Sequence, residues 1–172
     1  GAPRRCRLLT QEYPIYGDHF VHASKELIEK AVKVIDPPTR SNIVAISSVE
    51  NHVGMYTLKQ IAELLATAYA GFRAVVLQTP GTVVLHTGHW GCGANGGNKG
   101  LIAAIQILAA SMAGVPSLHY SYGYKKSDET ALQHGMQVAS LLNGVPTLRA
   151  VELLDSAGYS WGIANENYVE YI

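Results

Sequence analysis

Five glycines fall within ten residues of the stretch Thr87-Gly88-His89-Trp90-Gly91-Cys92-Gly93-Ala94-Asn95-Gly96-Gly97-Asn98-Lys99. Glycine lets backbone N–H groups turn toward a ligand, and lets the ligand come close with no Cβ in the way. The stretch lies between a strand-like run, residues 82–86, and a helix-like run, residues 100–113. N–H groups at a helix start favour an anion, and the helix dipole adds to them. A cradle for a phosphate or diphosphate is the chemistry these residues suit. The plainer alternative is a tight strand-to-helix turn with no ligand, although turns seldom use so many glycines. Two further readings compete. His86, His89 and Cys92 stand three apart, but a closed zinc site takes four ligands and this spacing matches no finger, so no metal is expected. Cys92 beside His89 is a candidate nucleophile, because a glycine-rich helix start lowers a thiol pKa.

The elements that would hold this stretch alternate between helix and strand. Ser24 caps a helix expected over residues 24–35, ended by Pro37-Pro38. Residues 43–47 read as a buried strand. Thr57-Leu58-Lys59-Gln60 is a capping-box pattern and opens a helix to about residue 70, with Gly71 as its stop. Residues 74–77 and 83–86 are strand-like, with Pro80-Gly81 turning between them. A helix over residues 98–113 ends at Gly114, a strand follows over 117–122, a helix runs from Ser127 to Asn143-Gly144, and another starts at Thr147. The order predicts an α/β layered sheet flanked by helices. Ligands of such sheets sit beyond the carboxyl ends of strands, where the glycine stretch falls. Residues 159–172 show no period and are expected to form a tail after one region spanning 1–158.

Composition narrows the classes. At 172 residues, 48% of them hydrophobic, the chain suits one domain with a core. Thirteen basic and thirteen acidic side chains cancel, which leaves no broad footprint for nucleic acid. The nearest approach to a membrane span is residues 102–115, interrupted by Gln106 and Ser111 and shorter than the roughly 18 residues needed, so no membrane partner is expected. Two cysteines, Cys6 and Cys92, make no disulfide framework, which suits an intracellular, soluble protein. The start at Gly1-Ala2-Pro3, with no initiator Met or signal peptide, fits a fragment of a longer protein.

The run from Gly88 to Gly97, followed by Lys99, Leu101 and residues 104–110, resembles the signature of poly(ADP-ribose) glycohydrolases. These are macrodomain-fold enzymes that cleave ribose–ribose bonds in ADP-ribose polymers, and their usual form reads Gly-Asn-Trp-Gly-Cys-Gly-Ala-Phe-Gly-Gly. Gln11-Glu12-Tyr13-Pro14-Ile15-Tyr16-Gly17-Asp18-His19 is similar to the family's tyrosine-rich segment. Residues 43–46 with 64–72, and Leu118-His119-Tyr120-Ser121-Tyr122-Gly123, follow in the family's order. The similarity spans roughly residues 8–157. The family's catalytic Gly-Gly-Gly and Gln-Glu-Glu segment has no counterpart in this chain.

By that resemblance, Gly88, His89, Trp90, Gly91, Cys92, Gly93, Ala94, Asn95, Gly96 and Gly97 wrap the diphosphate and distal ribose. In the family this cysteine binds and is not a nucleophile. Tyr122 stands where an aromatic packs on the adenine side, and Tyr16 falls in the segment that closes over the ligand. His19 replaces the tyrosine of that clasp, Asn95 replaces the phenylalanine that orients the ribose, and His89 replaces an asparagine. These changes make the ribose pocket more polar and add a group that titrates near neutral pH. The resemblance implies a glycohydrolase acting on poly- or mono-ADP-ribosyl groups, without a cofactor. The catalytic acid is then expected outside this chain, in an amino-terminal half that completes the sheet. The second expectation is a macrodomain that reads ADP-ribose without chemistry.

Overall fold

The structure, a computed structural model, describes residues 2–9, 12–13, 15, 21–49, 53–93, 95–122 and 125–162. Two compact units divide the chain after residue 44. The α/β class expected from the sequence is the one observed.

In the first unit, strand β1 (Ala2–Leu8) pairs antiparallel with β2 (Val32–Ser41), and helix α1 (Lys25–Ala31) precedes β2. Ser24 caps α1 as expected, its side chain accepting from Leu27 N at 3.2 Å. The helix stops at Ala31, however, four residues before the predicted end. Val32, Val34 and Ile35 are β-branched and favour the pleated ladder with β1. Pro37 and Pro38 therefore lie in a strand and end no helix. The register jumps there, with Arg4 opposite Thr39 and Cys6 opposite Val34, so the prolines fall where no ladder bond is asked of them.

The second unit begins with an irregular stretch. Residues 43–47 form no strand: none of the described strands runs beside them, and Ile43 is 80% exposed. Helix α2 (Leu58–Gln78) opens on the predicted capping box, with both reciprocal bonds present between Thr57 and Gln60. It runs through Gly71 and absorbs residues 74–77, which the sequence suggested as a strand. Burial of Phe72 one residue beyond that glycine outweighs its helix cost of about 1 kcal/mol. By length and composition α2 is the one described helix able to cross a membrane, closer to it than residues 102–115. Here Ile61, Leu64, Leu65, Ala68 and Phe72 are buried in the protein core.

Strand β3 (Val84–Thr87), helix α3 (Lys99–Ala113) and strand β4 (Ser117–Tyr120) form a βαβ unit, the strands parallel and in register from Val84 with Ser117 to Thr87 with Tyr120. Helix α3 is the centre of the core: Leu101, Ile102 and Ile105 are fully buried. Gly114 ends it with φ of +73°, and Arg73 donates to its last carbonyl, Ala113 O, at 3.2 Å. Helices α4 (Lys126–Leu142) and α5 (Thr147–Ser156) pack against α3 and α2; α4 starts and stops, and α5 starts, close to the predicted signals. Residues 159–162, within the stretch that lacks a sequence period, lie along residues 54–56, with Tyr56 N donating to Tyr159 O and Trp161 N to Gly54 O.

Candidate functional site

The glycine stretch forms the loop between β3 and α3, at the carboxyl end of a parallel strand and the amino end of the central helix. Its fold is set by its own backbone. Trp90 N donates to Gly88 O, Cys92 N to His89 O, Gly96 N to Gly93 O and Gly97 N to Gly91 O, all within 3.1 Å. Gly91 and Gly96 take φ of +71° and +61°, which side chains rarely adopt. A Cβ on Gly97 would stand 2.7 Å from Gly91 O, and one on Gly91 would stand 2.2 Å from Ser48 Oγ. Part of the glycine content is thus explained by the loop closing on itself. The N–H groups of His89, Gly91, Gly93 and Asn95 make none of these bonds.

Three side-chain systems brace the loop. Asn98 caps α3, accepting from Leu101 N at 3.1 Å. Its own N–H donates to Tyr56 Oη and its Nδ2 to Ser160 O, each at 3.0 Å. Tyr56 stacks on Trp161 with ring centroids 4.1 Å apart, and Gly162 N donates to Gly96 O at 2.7 Å. Burial pushes the Tyr56 hydroxyl up to about 12, so it stays protonated. On the other side, Gln106 is fully buried and donates from Nε2 to Gly88 O at 2.8 Å. Thr87 Oγ1 donates to Gln106 Oε1, and Tyr120 Oη lies 3.4 Å from Gln106 Nε2 and 3.2 Å from His89 Nδ1. Finally, Lys99, the first residue of α3, forms an ion pair with buried Asp128 of α4.

The predicted residues divide as follows. Gly88, His89, Trp90, Gly91, Cys92, Gly93, Asn95, Gly96 and Gly97 share the one loop. Tyr122 lies just past β4 and is 47% exposed. Tyr16, His19 and Ala94 lie outside the described residues. Burial counts against the nucleophilic reading of Cys92. Burial pushes its thiol up to about 12, with Lys99 lowering and Asp128 raising it to lesser degrees, and its Sγ turns to Trp90 O at 3.6 Å. His89 titrates lower than expected, through burial and then the charge of Lys99, partly offset by Asp128. The three donors His86, His89 and Cys92 do not gather: His86 sits beside His119, and among the described residues no three His, Cys, Asp or Glu side chains cluster. Gln106, Tyr120, Tyr56, Trp161 and Asp128 escaped the sequence reading. The one signal in the sequence is Gln106, a polar residue inside an apolar helix.

Among known families, the model described as poly(ADP-ribose) glycohydrolase (PARG), macro domain fold, matches residues 10–129, well over half of the chain and including the whole loop.

Proposed function

The chain belongs to the poly(ADP-ribose) glycohydrolase family, with its macro domain fold, and from that premise we propose that it is a glycosidase acting on ADP-ribosyl groups, which holds their diphosphate in the loop of residues 88–97. The observation that carries this reading is the set of N–H groups, at His89, Gly91, Gly93 and Asn95, that take part in none of the backbone bonds among the described residues of the loop leading into α3. Such groups suit an anion, and the helix dipole adds to their field. The loop itself holds no carboxyl group. Its part is to bind and orient, so that the distal ribose C1 faces an acid from another segment. That acid protonates the leaving oxygen while positive charge develops on the sugar, as in glycoside hydrolysis generally. Asn95 in place of an aromatic makes mono-ADP-ribose on protein as suitable a substrate as polymer.

Calorimetric titration with ADP-ribose tests the binding half, with Gly93→Val as control, because a branched side chain there would obstruct the cradle. Saturable binding that is lost in the variant is the expected result. Absence of binding by a folded chain removes the proposal. Release of ADP-ribose from a modified protein then tests the chemistry, and binding without release favours the non-catalytic reader.

A further inference from the structure

The side chains behind the loop carry a directional chain of hydrogen bonds whose polarity can be assigned. Gly88 O can only accept, so the Gln106 amide must turn its NH2 toward it, at 2.8 Å. Gln106 Oε1 then faces Thr87, whose hydroxyl donates. The second Nε2 proton of Gln106 reaches Tyr120 Oη by a longer bond, 3.4 Å. With that oxygen accepting, the phenol proton is left for His89 Nδ1 at 3.2 Å. Burial holds the phenol protonated and disfavours the imidazolium. A neutral imidazole that accepts at Nδ1 carries its proton on Nε2. His89 Nε2 is itself buried and has no hydrogen-bond partner among the described residues. A buried donor left without a partner is uncommon and asks for one.

We propose that Thr87, Gln106 and Tyr120 fix His89 as the Nε2–H tautomer, so that the loop offers a neutral N–H donor to an acceptor oxygen of the ligand. The inference rests on the reading that an ADP-ribosyl group binds this loop. Tyr120 and Gln106 are positioning residues and His89 is the contact. A neutral donor suits this place. Lys99 and Asp128 already supply and cancel the local charge, so discrimination falls to geometry. An asparagine at this position would lack any ring nitrogen for Tyr120 to orient. The acceptor is either a phosphoryl oxygen or a ribose hydroxyl, and the two are separable by ligand.

Long-range 15N–1H correlation spectra of the imidazoles, in the unliganded full chain at neutral pH, read the tautomer directly, with His89→Gln identifying the signal. The expected result is Nε2–H in the wild type and a mixture in Tyr120→Phe, which keeps the ring and removes the hydroxyl. Nδ1–H in the wild type, or an unchanged tautomer in Tyr120→Phe, overturns the proposal. Binding supplies the second arm. His89→Ala is expected to weaken ADP-ribose by about tenfold, the loss of one hydrogen bond. An equal loss with ADP assigns the contact to phosphate, and a loss confined to ADP-ribose assigns it to the distal ribose. Undiminished binding by a folded His89→Ala chain overturns this inference and leaves the functional reading intact. No binding by the wild type overturns both the functional reading and the ligand contact, while the spectra still decide the tautomer.

Discussion

At the residue scale, the glycine loop surrounds two groups with opposite tendencies from those their types suggest. Cys92 sits in a glycine-rich loop leading to a helix, a setting where thiols tend to ionise, yet burial dominates and holds it up to about 12. Cys6 is exposed on β1. Alkylation by iodoacetamide at pH 8 is therefore expected to modify one thiol quickly and the second only after denaturant is added. Two fast thiols would show that Cys92 is open to solvent. His89 gives a pH dependence whose sign follows from its lowered pKa. The folded chain resists protonating this ring, whereas the unfolded chain protonates it below about 6.5. The unfolded state binds more protons in that window, so stability falls as pH drops from 6.5 toward the folded value, and is untouched above it. The groups around the ring are Tyr120, Lys99 and Asp128. Urea midpoints at pH 7.5 and 5.5 are expected to fall further in the wild type than in His89→Gln. Equal falls would mean that the imidazole charges freely in the fold.

At the element scale, what the sequence made legible were local signals. The Thr57–Gln60 box and the Gly114 stop each act within four residues, and each lies where the sequence put it. The loop was legible for the same reason, because its glycines are adjacent. Residues 74–77 were misread because a short apolar run has no period to tell a buried strand from a buried helix. The side chains bracing the loop were illegible because positions 56, 98, 106, 120 and 161 meet only in three dimensions. Helix packing has the same non-local character at Gly135. A Cβ there would stand 2.5 Å from Ala103 Cβ, and 2.9 Å from Ala104 N and Gly100 O of α3. Alanine gains up to about 1 kcal/mol of helix propensity over glycine. Forcing two helices apart costs about 1–3 kcal/mol, and backbone atoms cannot swing aside. Gly135→Ala is thus expected to destabilise by about 1 kcal/mol net and lower the urea midpoint. A raised midpoint would show that α3 and α4 have room to shift.

At the scale of the whole molecule, the packed core belongs to one unit. Its buried members run from Tyr56 through Leu101, Ile102 and Ile105 to Leu154 and Trp161, all beyond residue 44. Among the described residues the β3–β4 sheet has two strands, and an isolated pair is marginal in water. Burial on α2, α3 and α5, with the 159–162 segment laid along residues 54–56, supplies the stability of this unit. The unit boundary falls within residues 42–49, which form no helix or strand and hold Ile43 at 80% exposure and Val44 at 42%. Thermolysin cuts before exposed apolar residues where the backbone is free of regular bonds, so brief digestion is expected to cleave near residues 43–45. The fragment that begins there should keep its helical circular dichroism and unfold cooperatively, because it carries every buried contact of that core. Its ADP-ribose titration then locates the function: retained binding places the whole cradle in this unit, and binding lost from a still-folded fragment assigns part of it to residues before 45. Rapid breakdown with no stable fragment would show that the helices alone do not sustain the fold.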